Sequence, residues 1–214
     1  MTKKIYVVGG STGYVNWIND CILVNRIEDA DIVWFTGGAD INPSIYGKEL
    51  HDSTYYYSSR DEMELAAYAK AIECKVPLIG GTCRGIQLIT ALNGGILVQD
   101  VTHHCGTSHF MTNGVDTYKI NSIHHQMCYP FNLPKEKYEI LYWSSPSLSM
   151  HYQGITEEEE SLITCEPEVM VYYTNEHTKC FGVQGHPEML FYHNGQEHET
   201  IKMLNKLVDK YLYD

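Results

Sequence analysis

One cysteine of this chain, Cys83, stands where its thiol could act as a nucleophile. It follows a short apolar run that ends in Gly80 and Gly81, and a helix-like segment over residues 86–92 comes soon after it. The pattern predicts a strand, a sharp turn and a helix, with the thiol lifted clear of the backbone on the turn, which is a nucleophile elbow. The dipole of such a helix favours the thiolate at its N-terminus. The alternative at this stage is a buried cysteine beside a phosphate-binding glycine turn.

A histidine and a glutamate later in the sequence could serve this thiol as its base and orienting group. His186 and Glu188 are two residues apart, so their side chains lie on the same face of an extended backbone. Pro187 between them restricts His186 to extended geometry. Glu188 can then fix the tautomer of His186 and stabilise its imidazolium, as a cysteine nucleophile requires. The alternative is a surface turn after a strand.

Two further histidines compete for the role of base. His124 and His125 lie in a polar segment, residues 121–126, which we expect to form a turn. Neither has a carboxylate nearby in the sequence that could orient its ring. We therefore rank both below His186 as the general base.

A glycine pair follows another apolar run, residues 31–35, and could bind an anion. In an open parallel sheet, ligands bind at the carboxyl ends of the strands. Acyl transfer needs backbone N–H donors for the oxyanion of its tetrahedral intermediate. We assign this role to the N–H groups of Arg84 and Gly38, with Gly37 as the alternative second donor. The other interpretation of the glycine pair is an ordinary loop.

A histidine-rich segment suggests a metal ion at first sight. His103, His104, Cys105 and His109 lie close together in the sequence. Their spacing matches no familiar zinc pattern, and the segment is typical of a polar loop. We therefore expect no metal site and no cofactor.

The composition limits the classes of function. A chain of 214 residues with 43% hydrophobic residues can form one domain with a full core, so we expect a single domain over residues 1–214. The formal net charge is −12 and no cluster of Lys and Arg occurs, which argues against direct binding to nucleic acid. No apolar run approaches the ~20 residues of a membrane span. Seven cysteines without a Cys-x-x-Cys pair, and no signal-peptide pattern, predict a cytoplasmic protein.

Alternating strands and helices must position these residues. Strands are predicted over residues 4–8, 21–24, 31–35, 95–101, 117–120, 138–143, 169–173 and 180–184, besides the run before Cys83. A helix is predicted from residue 59 to about residue 75, with Ser58 or Ser59 as its cap and an apolar face that includes Met63, Ala66 and Ala71. An amphipathic helix is predicted over residues 196–211, after a turn at Asn194 and Gly195, and the acidic run over residues 157–160 is expected to be a loop or hairpin tip.

Together these stretches resemble the class I glutamine amidotransferase family. Residues 81–87 resemble its nucleophile motif, and residues 182–188 its His/Glu motif. Within that family the chain is most similar to the gamma-glutamyl-gamma-aminobutyrate hydrolase group, because three more stretches match in order: residues 36–47, Arg60 with Asp61, and residues 121–126.

The resemblance implies a fold, a reaction and a set of site residues. The fold is α/β, a flavodoxin-like three-layer α/β/α arrangement with a central, mostly parallel sheet. The triad is Cys83, His186 and Glu188, and the reaction passes through a gamma-glutamyl thioester that water hydrolyses. Gln87, Gly37 and His125 are the implied substrate-binding residues.

The leaving amine and the partner remain open. Gly185 stands where the hydrolases usually have an aromatic residue, a difference that could widen the pocket or alter the choice of acceptor. One alternative is a glutaminase subunit that delivers ammonia to a separate synthetase partner, and another is an inactive homologue that acts as a binding module. The expected ligand is a small gamma-glutamyl compound or glutamine, and a homodimer is possible.

Overall fold

The described part of the chain, residues 2–190 and 198–213 of this computed structural model, is built around one large sheet. Its strands, together with those of two small pairs, are β1 (Lys3–Val7), β2 (Cys21–Leu23), β3 (Ile32–Phe35), β4 (Leu78–Thr82), β5 (Ile96–Val98), β6 (Asp100–Val101), β7 (Cys105–Thr112), β8 (Thr117–Ile123), β9 (Met127–Tyr129), β10 (Tyr138–Ser144), β11 (Tyr152–Gln153), β12 (Pro167–Tyr173) and β13 (Lys179–Val183). The large sheet has the order β2-β1-β3-β4-β13-β12-β10-β7-β8, while β5 pairs with β9 and β6 with β11.

The large sheet is parallel at its core and antiparallel on one side. Five of its nine strands, β2, β1, β3, β4 and β13, run in the same direction. Beyond β13 the direction alternates through β12, β10, β7 and β8. Strands β3 and β4 are buried along their whole length, as parallel strands covered on both faces must be. The central, mostly parallel sheet expected from the sequence is confirmed.

Helices cover both faces of this sheet. The helices of the described residues are α1 (Ser58–Glu73), α2 (Arg84–Leu92), α3 (Glu157–Ser161) and α4 (Glu199–Tyr213). Ile86 and Ile89 of α2 belong to the core on one face, which also takes in part of α1. Leu204 and Val208 of α4 belong to the core on the other face. The result is the predicted flavodoxin-like three-layer α/β/α arrangement.

The buried face of α1 differs from the prediction. Asp61 and Glu64 are 3% and 1% exposed, whereas Met63 is 44% exposed and Ala66 also faces solvent. The carboxylates are buried because both pair with Arg84 of α2. The predicted serine cap is also wrong, because Tyr57 takes the N-cap position without a side-chain hydrogen bond.

Two polar segments predicted as loop or turn belong to strands. The histidine-rich segment enters β7, and residues 121–123 are the end of β8. The first four residues of β7 are exposed, and β8 is the outer strand of the sheet. Exposed and edge strands can be polar, because only their inner face contributes to the core.

The acidic run forms a short helix rather than a loop. Thr156 caps α3 by accepting a hydrogen bond from the backbone N–H of Glu159, whose side chain accepts from the N–H of Thr156 in return. This capping box satisfies two donors at the start of the helix. Glu159 also pairs with Lys48 at 2.5 Å.

The last predicted helix is present as α4 where the structure describes it. The predicted turn at Asn194 and Gly195, and the predicted helix start at residue 196, lie outside the described residues. No helix among the described residues is long and apolar enough to cross a membrane. The single-domain organisation over residues 1–214 stays a prediction.

Candidate active site

Three neighbouring parallel strands bring the predicted site residues to one edge of the sheet. Strand β4 lies between β3 and β13, with Gly81 opposite both Phe35 and Gly182. Strand β3 leads into Gly37, β4 into Cys83 and β13 into His186. Because the strands are parallel, their carboxyl ends meet at the same edge, where such sheets bind ligands.

The backbone at Cys83 has the sharp turn of an elbow. Cys83 adopts φ 51° and ψ −109° immediately before α2, a strained conformation for a residue with a side chain. A Cβ added to Gly81 would lie 2.5 Å from the carbonyl carbon of Gly85. One added to Gly85 would lie 2.3 Å from the carbonyl oxygen of Phe35. Only glycine fits at both positions, so these glycines allow the strand and the helix to approach closely on either side of the thiol.

His186 is oriented by a carboxylate and by a contact to its backbone. Its Nδ1 lies 2.7 Å from Oε1 of Glu188, and its backbone N–H donates to Oδ1 of Asn121 at 2.9 Å. Burial opposes protonation of the ring, but hydrogen bonds to Cys83 and Glu188 and the charges of both groups raise the pKa of His186 to about 10. The arrangement therefore favours the imidazolium form of His186.

The two rival histidines have other partners. His124 is buried and directs its Nδ1 to the carbonyl oxygen of Gln126 at 2.9 Å; burial and the neighbouring His104 hold its pKa well below the usual range. His125 lies 3.2 Å from Asp40 and 3.4 Å from Asp100. No carboxylate lies near either histidine in the sequence, but the fold brings Asp40 and Asp100 to His125 from distant segments. The hydrogen bond to Asp40 is the main cause of its raised pKa.

The predicted oxyanion donors flank the elbow. Arg84 is the first residue of α2, so its N–H is one of those that a helix leaves without an intrahelical acceptor. A Cβ added to Gly37 would lie 3.0 Å from Cε1 of His186, which places this glycine beside the imidazole. Gly38 has φ 141° and packs against the guanidinium of Arg60. That guanidinium donates to the carbonyl oxygen of Gly37 at 2.8 Å and so fixes the glycine loop.

Buried ion pairs link this loop to the elbow. The guanidinium of Arg84 is 1% exposed and bonds Oδ1 of Asp61 at 2.6 Å as well as Glu64. Glu64 also accepts from Nε of Arg60 at 3.0 Å. Asp61 in turn accepts from the backbone N–H of Asn42 at 3.1 Å. Helix α1 thus holds the residue after the thiol and the glycine loop through one network.

Tyr14 is a site residue that sequence reasoning missed. Its ring centroid lies 6.1 Å from that of His186, and a Cβ added to Gly37 would lie 3.0 Å from its Cε1. Burial, and then the charges of Glu188 and Cys83, raise its pKa. Nothing in the local pattern singles out this tyrosine, because it follows β1, a different strand from those that carry the thiol and the base.

The predicted substrate residue Gln87 is 3% exposed. Its amide nitrogen donates to the carbonyl oxygen of Gln126 at 3.0 Å. Gly37 lines an open cleft together with Tyr14, Thr36 and Arg60. The substrate-binding roles of Gln87, Gly37 and His125 stay predictions.

Gly185 does not open extra space at the site. A Cβ added there would lie 2.4 Å from Cγ1 of Ile120 and 2.5 Å from the carbonyl oxygen of Asn121. The volume that an aromatic side chain would need is filled by β8. The expectation of a pocket widened by Gly185 is therefore wrong for this position.

A second cluster of titratable groups lies among β7, β8 and β12. His104, His124 and Glu168 each offer a ligand atom, and these atoms lie within 4.8 Å of one another. All three side chains are buried. They are the residues best able to hold a metal ion among those that the structure describes.

Comparison with known proteins agrees with this geometry. The family described as Peptidase C26 matches residues 3–188. The glutamine amidotransferase-like YvdE homologue of Lactococcus lactis subsp. cremoris is 32% identical over 125 residues, which are 48% of this chain and 66% of that protein. Protein NtpR of Enterococcus hirae is 29% identical over 187 residues, 76% of this chain and 69% of that protein.

Structural similarity extends over the whole chain. A glutamine amidotransferase of known structure from Thermotoga maritima has a TM-score of 0.58 at 12% identity, and the match covers 100% of this chain and 99% of that one. At this identity the likeness shows the fold alone. The chain spans just under two thirds of the length of the YvdE homologue. The family match over residues 3–188, with the elbow and the His/Glu pair in that range, shows that this chain belongs to the Peptidase C26 family of class I glutamine amidotransferase-like proteins.

Proposed function

We propose that this protein is a cysteine-dependent hydrolase of gamma-glutamyl amide bonds with a triad of Cys83, His186 and Glu188. The observation that carries the proposal is the 2.7 Å bond from His186 Nδ1 to Glu188, at the sheet edge where the adjacent strands β4 and β13 lead into Cys83 and His186. In this arrangement the thiol is the nucleophile, the imidazole is its base and the carboxylate orients the base.

Acylation begins with the thiolate of Cys83. Its sulfur attacks the carbonyl carbon of the gamma-amide, and the carbonyl electrons move onto the oxygen. The N–H groups of Arg84 and Gly38, with Gly37 as the alternative, donate to this oxyanion. When the intermediate collapses, the C–N bond breaks and His186 gives its proton to the leaving amine. A gamma-glutamyl thioester remains on Cys83.

Deacylation uses water and the same histidine. Neutral His186 takes a proton from water while the water oxygen attacks the thioester carbonyl. The second tetrahedral intermediate collapses with breakage of the C–S bond. Glutamate leaves, and Cys83 and His186 return to the thiolate–imidazolium pair. Glu188 keeps the ring oriented through both steps and stabilises its charged form.

The cleft lined by the glycine loop is the proposed entrance for the substrate. Tyr14, Gly37 and Arg60 line it. The guanidinium of Arg60 is one-quarter exposed. We assign it the role of pairing with a carboxylate of the substrate. His125, with Asp40 and Asp100 on either side, and Gln87 complete the proposed substrate contacts.

A second candidate is a glutaminase subunit that passes ammonia to a separate synthetase. The observation in its favour is that the YvdE homologue is named as a glutamine amidotransferase-like protein. The chemistry at Cys83 is then the same, and only the fate of the nitrogen differs.

Glutamate release by the purified protein tests the proposal and separates the candidates. We expect turnover of gamma-glutamyl-amines by the protein alone, and a fall of at least about 1,000-fold in kcat/KM in Cys83→Ala. Cys105→Ala, which removes an exposed thiol, should leave the rate unchanged. Glutaminase activity that appears only with an ammonia-consuming synthetase would favour the second candidate. An absence of turnover with either kind of substrate would contradict both.

A further inference from the structure

Five titratable side chains form a buried cluster away from the proposed thiol chemistry. His104 precedes β7 and His109 lies within it, and His124 follows β8. Glu166 precedes β12 and Glu168 is its second residue. All five are at most 8% exposed. A buried carboxylate is costly unless it is paired or coordinates a metal ion. Each charge and lone pair of this cluster therefore needs a hydrogen-bond partner or a metal ion.

The hydrogen bonds of two histidines fix which ring nitrogens carry protons. Nε2 of His104 lies 3.0 Å from Oε2 of Glu166, and Nδ1 of His124 lies 2.9 Å from the carbonyl oxygen of Gln126. An ionised carboxylate and a carbonyl oxygen only accept, so these nitrogens are the donors. The opposite nitrogens, Nδ1 of His104 and Nε2 of His124, are left with lone pairs in the neutral rings. Orientation of a histidine by an acceptor on its far nitrogen is the usual arrangement around protein-bound metal ions.

The carboxylate of Glu168 lies beside both imidazole rings. Its Oε1 lies 3.8 Å from Nδ1 of His104 and accepts from Nε2 of His109 at 2.8 Å. Its Oε2 and Nε2 of His124 have no hydrogen-bond partner among the described residues. Ser122 contacts Nδ1 of His104 at 3.4 Å, but its hydroxyl donates to the carbonyl oxygen of His104. The hydroxyl proton is thus already used, and the lone pair of His104 remains available.

We propose that His104, His124 and Glu168 bind one divalent transition-metal ion, with Zn²⁺ as the best match. Two imidazoles and one carboxylate are a ligand set that Zn²⁺ takes, with water in the fourth position. The three ligand atoms already lie within 4.8 Å of one another. A tetrahedral site with bonds of 2.0–2.1 Å needs about 3.4 Å between ligand atoms, so small side-chain shifts complete it. Glu166, the carbonyl of Gln126 and His109 serve as the outer hydrogen-bond partners.

Such an ion would connect two segments that contact the strand and loop of His186. The carbonyl oxygen of Glu168 accepts from the N–H of Gln184 at 2.8 Å, two residues before His186. Asn121, which accepts from the N–H of His186, lies on the strand that leads to His124. The ion therefore stabilises the fold around His186, and it takes no part in bond breaking. The proposal stands independently of the proposed hydrolase activity.

Metal binding by the full chain tests the proposal directly. The protein is stripped with a chelator, and Zn²⁺ is titrated by calorimetry while thermal unfolding is followed with and without the ion. We expect one equivalent to bind and the Tm to rise by about 5 °C or more at 100 times Kd. Co²⁺ as a probe should give the intense visible bands of a tetrahedral site. Glu168→Gln and His124→Gln should each lower the affinity by at least 100-fold, and Glu166→Gln by about 10–100-fold.

A matched control separates this site from surface histidines. His177 is exposed and lies beside Glu176, and His177→Gln should bind Zn²⁺ as the parent does. Circular dichroism shows which variants fold, and the Co²⁺ spectrum of the unmodified chain tests the site even if a variant does not. Failure of the stripped, folded protein to bind either ion would overturn the proposal. So would full affinity in both Glu168→Gln and His124→Gln, or a loss of the bound equivalent in His177→Gln.

Discussion

Arg84, the residue after the proposed nucleophile, is tied to Asp61 of α1 by a bond of 2.6 Å between Nη2 and Oδ1, and both side chains are buried. Arg84 also pairs with Glu64, which in turn pairs with Arg60. The backbone N–H of Arg84 is a proposed oxyanion donor, so its side chain fixes the position of a group that acts on the substrate. The glycine loop and the elbow are therefore held in place by one network of charges.

Loss of one carboxylate of this network should be strongly destabilising. Glu64→Gln leaves the buried guanidinium of Arg84 short of one counter-charge, which typically costs about 3–5 kcal/mol. We expect the free energy of unfolding, measured by denaturant titration, to fall by about this amount. Glu62→Gln on the exposed side of α1 is the control and should change it by less than about 0.5 kcal/mol. Equal stability of the two variants would show that the network does not hold the elbow.

A side chain at position 185 should disturb β8 and, through it, His186. The Cβ of Gly185→Ala would lie 2.4 Å from Ile120, so β8 must shift, at a cost of about 1–3 kcal/mol. Asn121 on the same strand accepts from the N–H of His186, so kcat should fall as well. Gly13→Ala is the matched control, because nothing lies within 4 Å of its added Cβ. A Gly185→Ala protein with parental stability would contradict the close contact.

The stabilising effect of His125 should depend on pH. Its pKa is raised above the value of 6.5, mainly by the hydrogen bond to Asp40. A raised pKa in the folded state means that the ion pair stabilises the fold fully below pH 6.5 and that this contribution is lost as the pH rises through the folded-state pKa. His125→Gln should therefore destabilise the protein more at about pH 6 than at about pH 9, as measured by denaturant titration. In an Asp40→Asn background the pH dependence should be much smaller, and an undiminished dependence there would assign the effect to another group.

The reactivity of Cys83 should depend on His186. With the pKa of His186 at about 10, the imidazolium persists at neutral pH, and a neighbouring cation is a common means of activating a cysteine. We expect His186→Gln to slow alkylation of Cys83 by iodoacetamide at pH 7 by at least about 10-fold, followed by peptide mass spectrometry. Exposed Cys105 in the same sample gives the internal reference. Equal rates in the parent and the variant would mean that His186 does not activate the thiol.

The local sequence patterns predicted the elbow and the His/Glu pair because the residues of each motif are close together in the sequence. An apolar run followed by glycines marks the carboxyl end of a buried strand, and this holds for the loops at Gly37, Cys83 and His186. The order of the strands brings these loops together. Adjacent parallel strands place their ends at one edge, so the predicted coincidence follows from the fold class itself.

Pairings over long sequence distances escaped the same reasoning. Glu168 lies 59 residues from His109, and Glu166 lies 62 residues from His104. No periodicity reveals such contacts, and the polar residues of β7 resemble those of a loop. Glu64 is equally hidden, since a carboxylate on a helix is usually exposed, and its burial depends on Arg84 in another helix.

A covalent intermediate on Cys83 is the most direct test of the account. The protein is mixed with a gamma-glutamyl-amine, quenched in acid within the first turnovers and examined by peptide mass spectrometry. We predict a gamma-glutamyl adduct on the peptide that contains Cys83, formed and consumed as glutamate is released, and absent in Cys83→Ala. Turnover at the parental rate in Cys83→Ala, or steady glutamate release with an adduct on another residue, would contradict it.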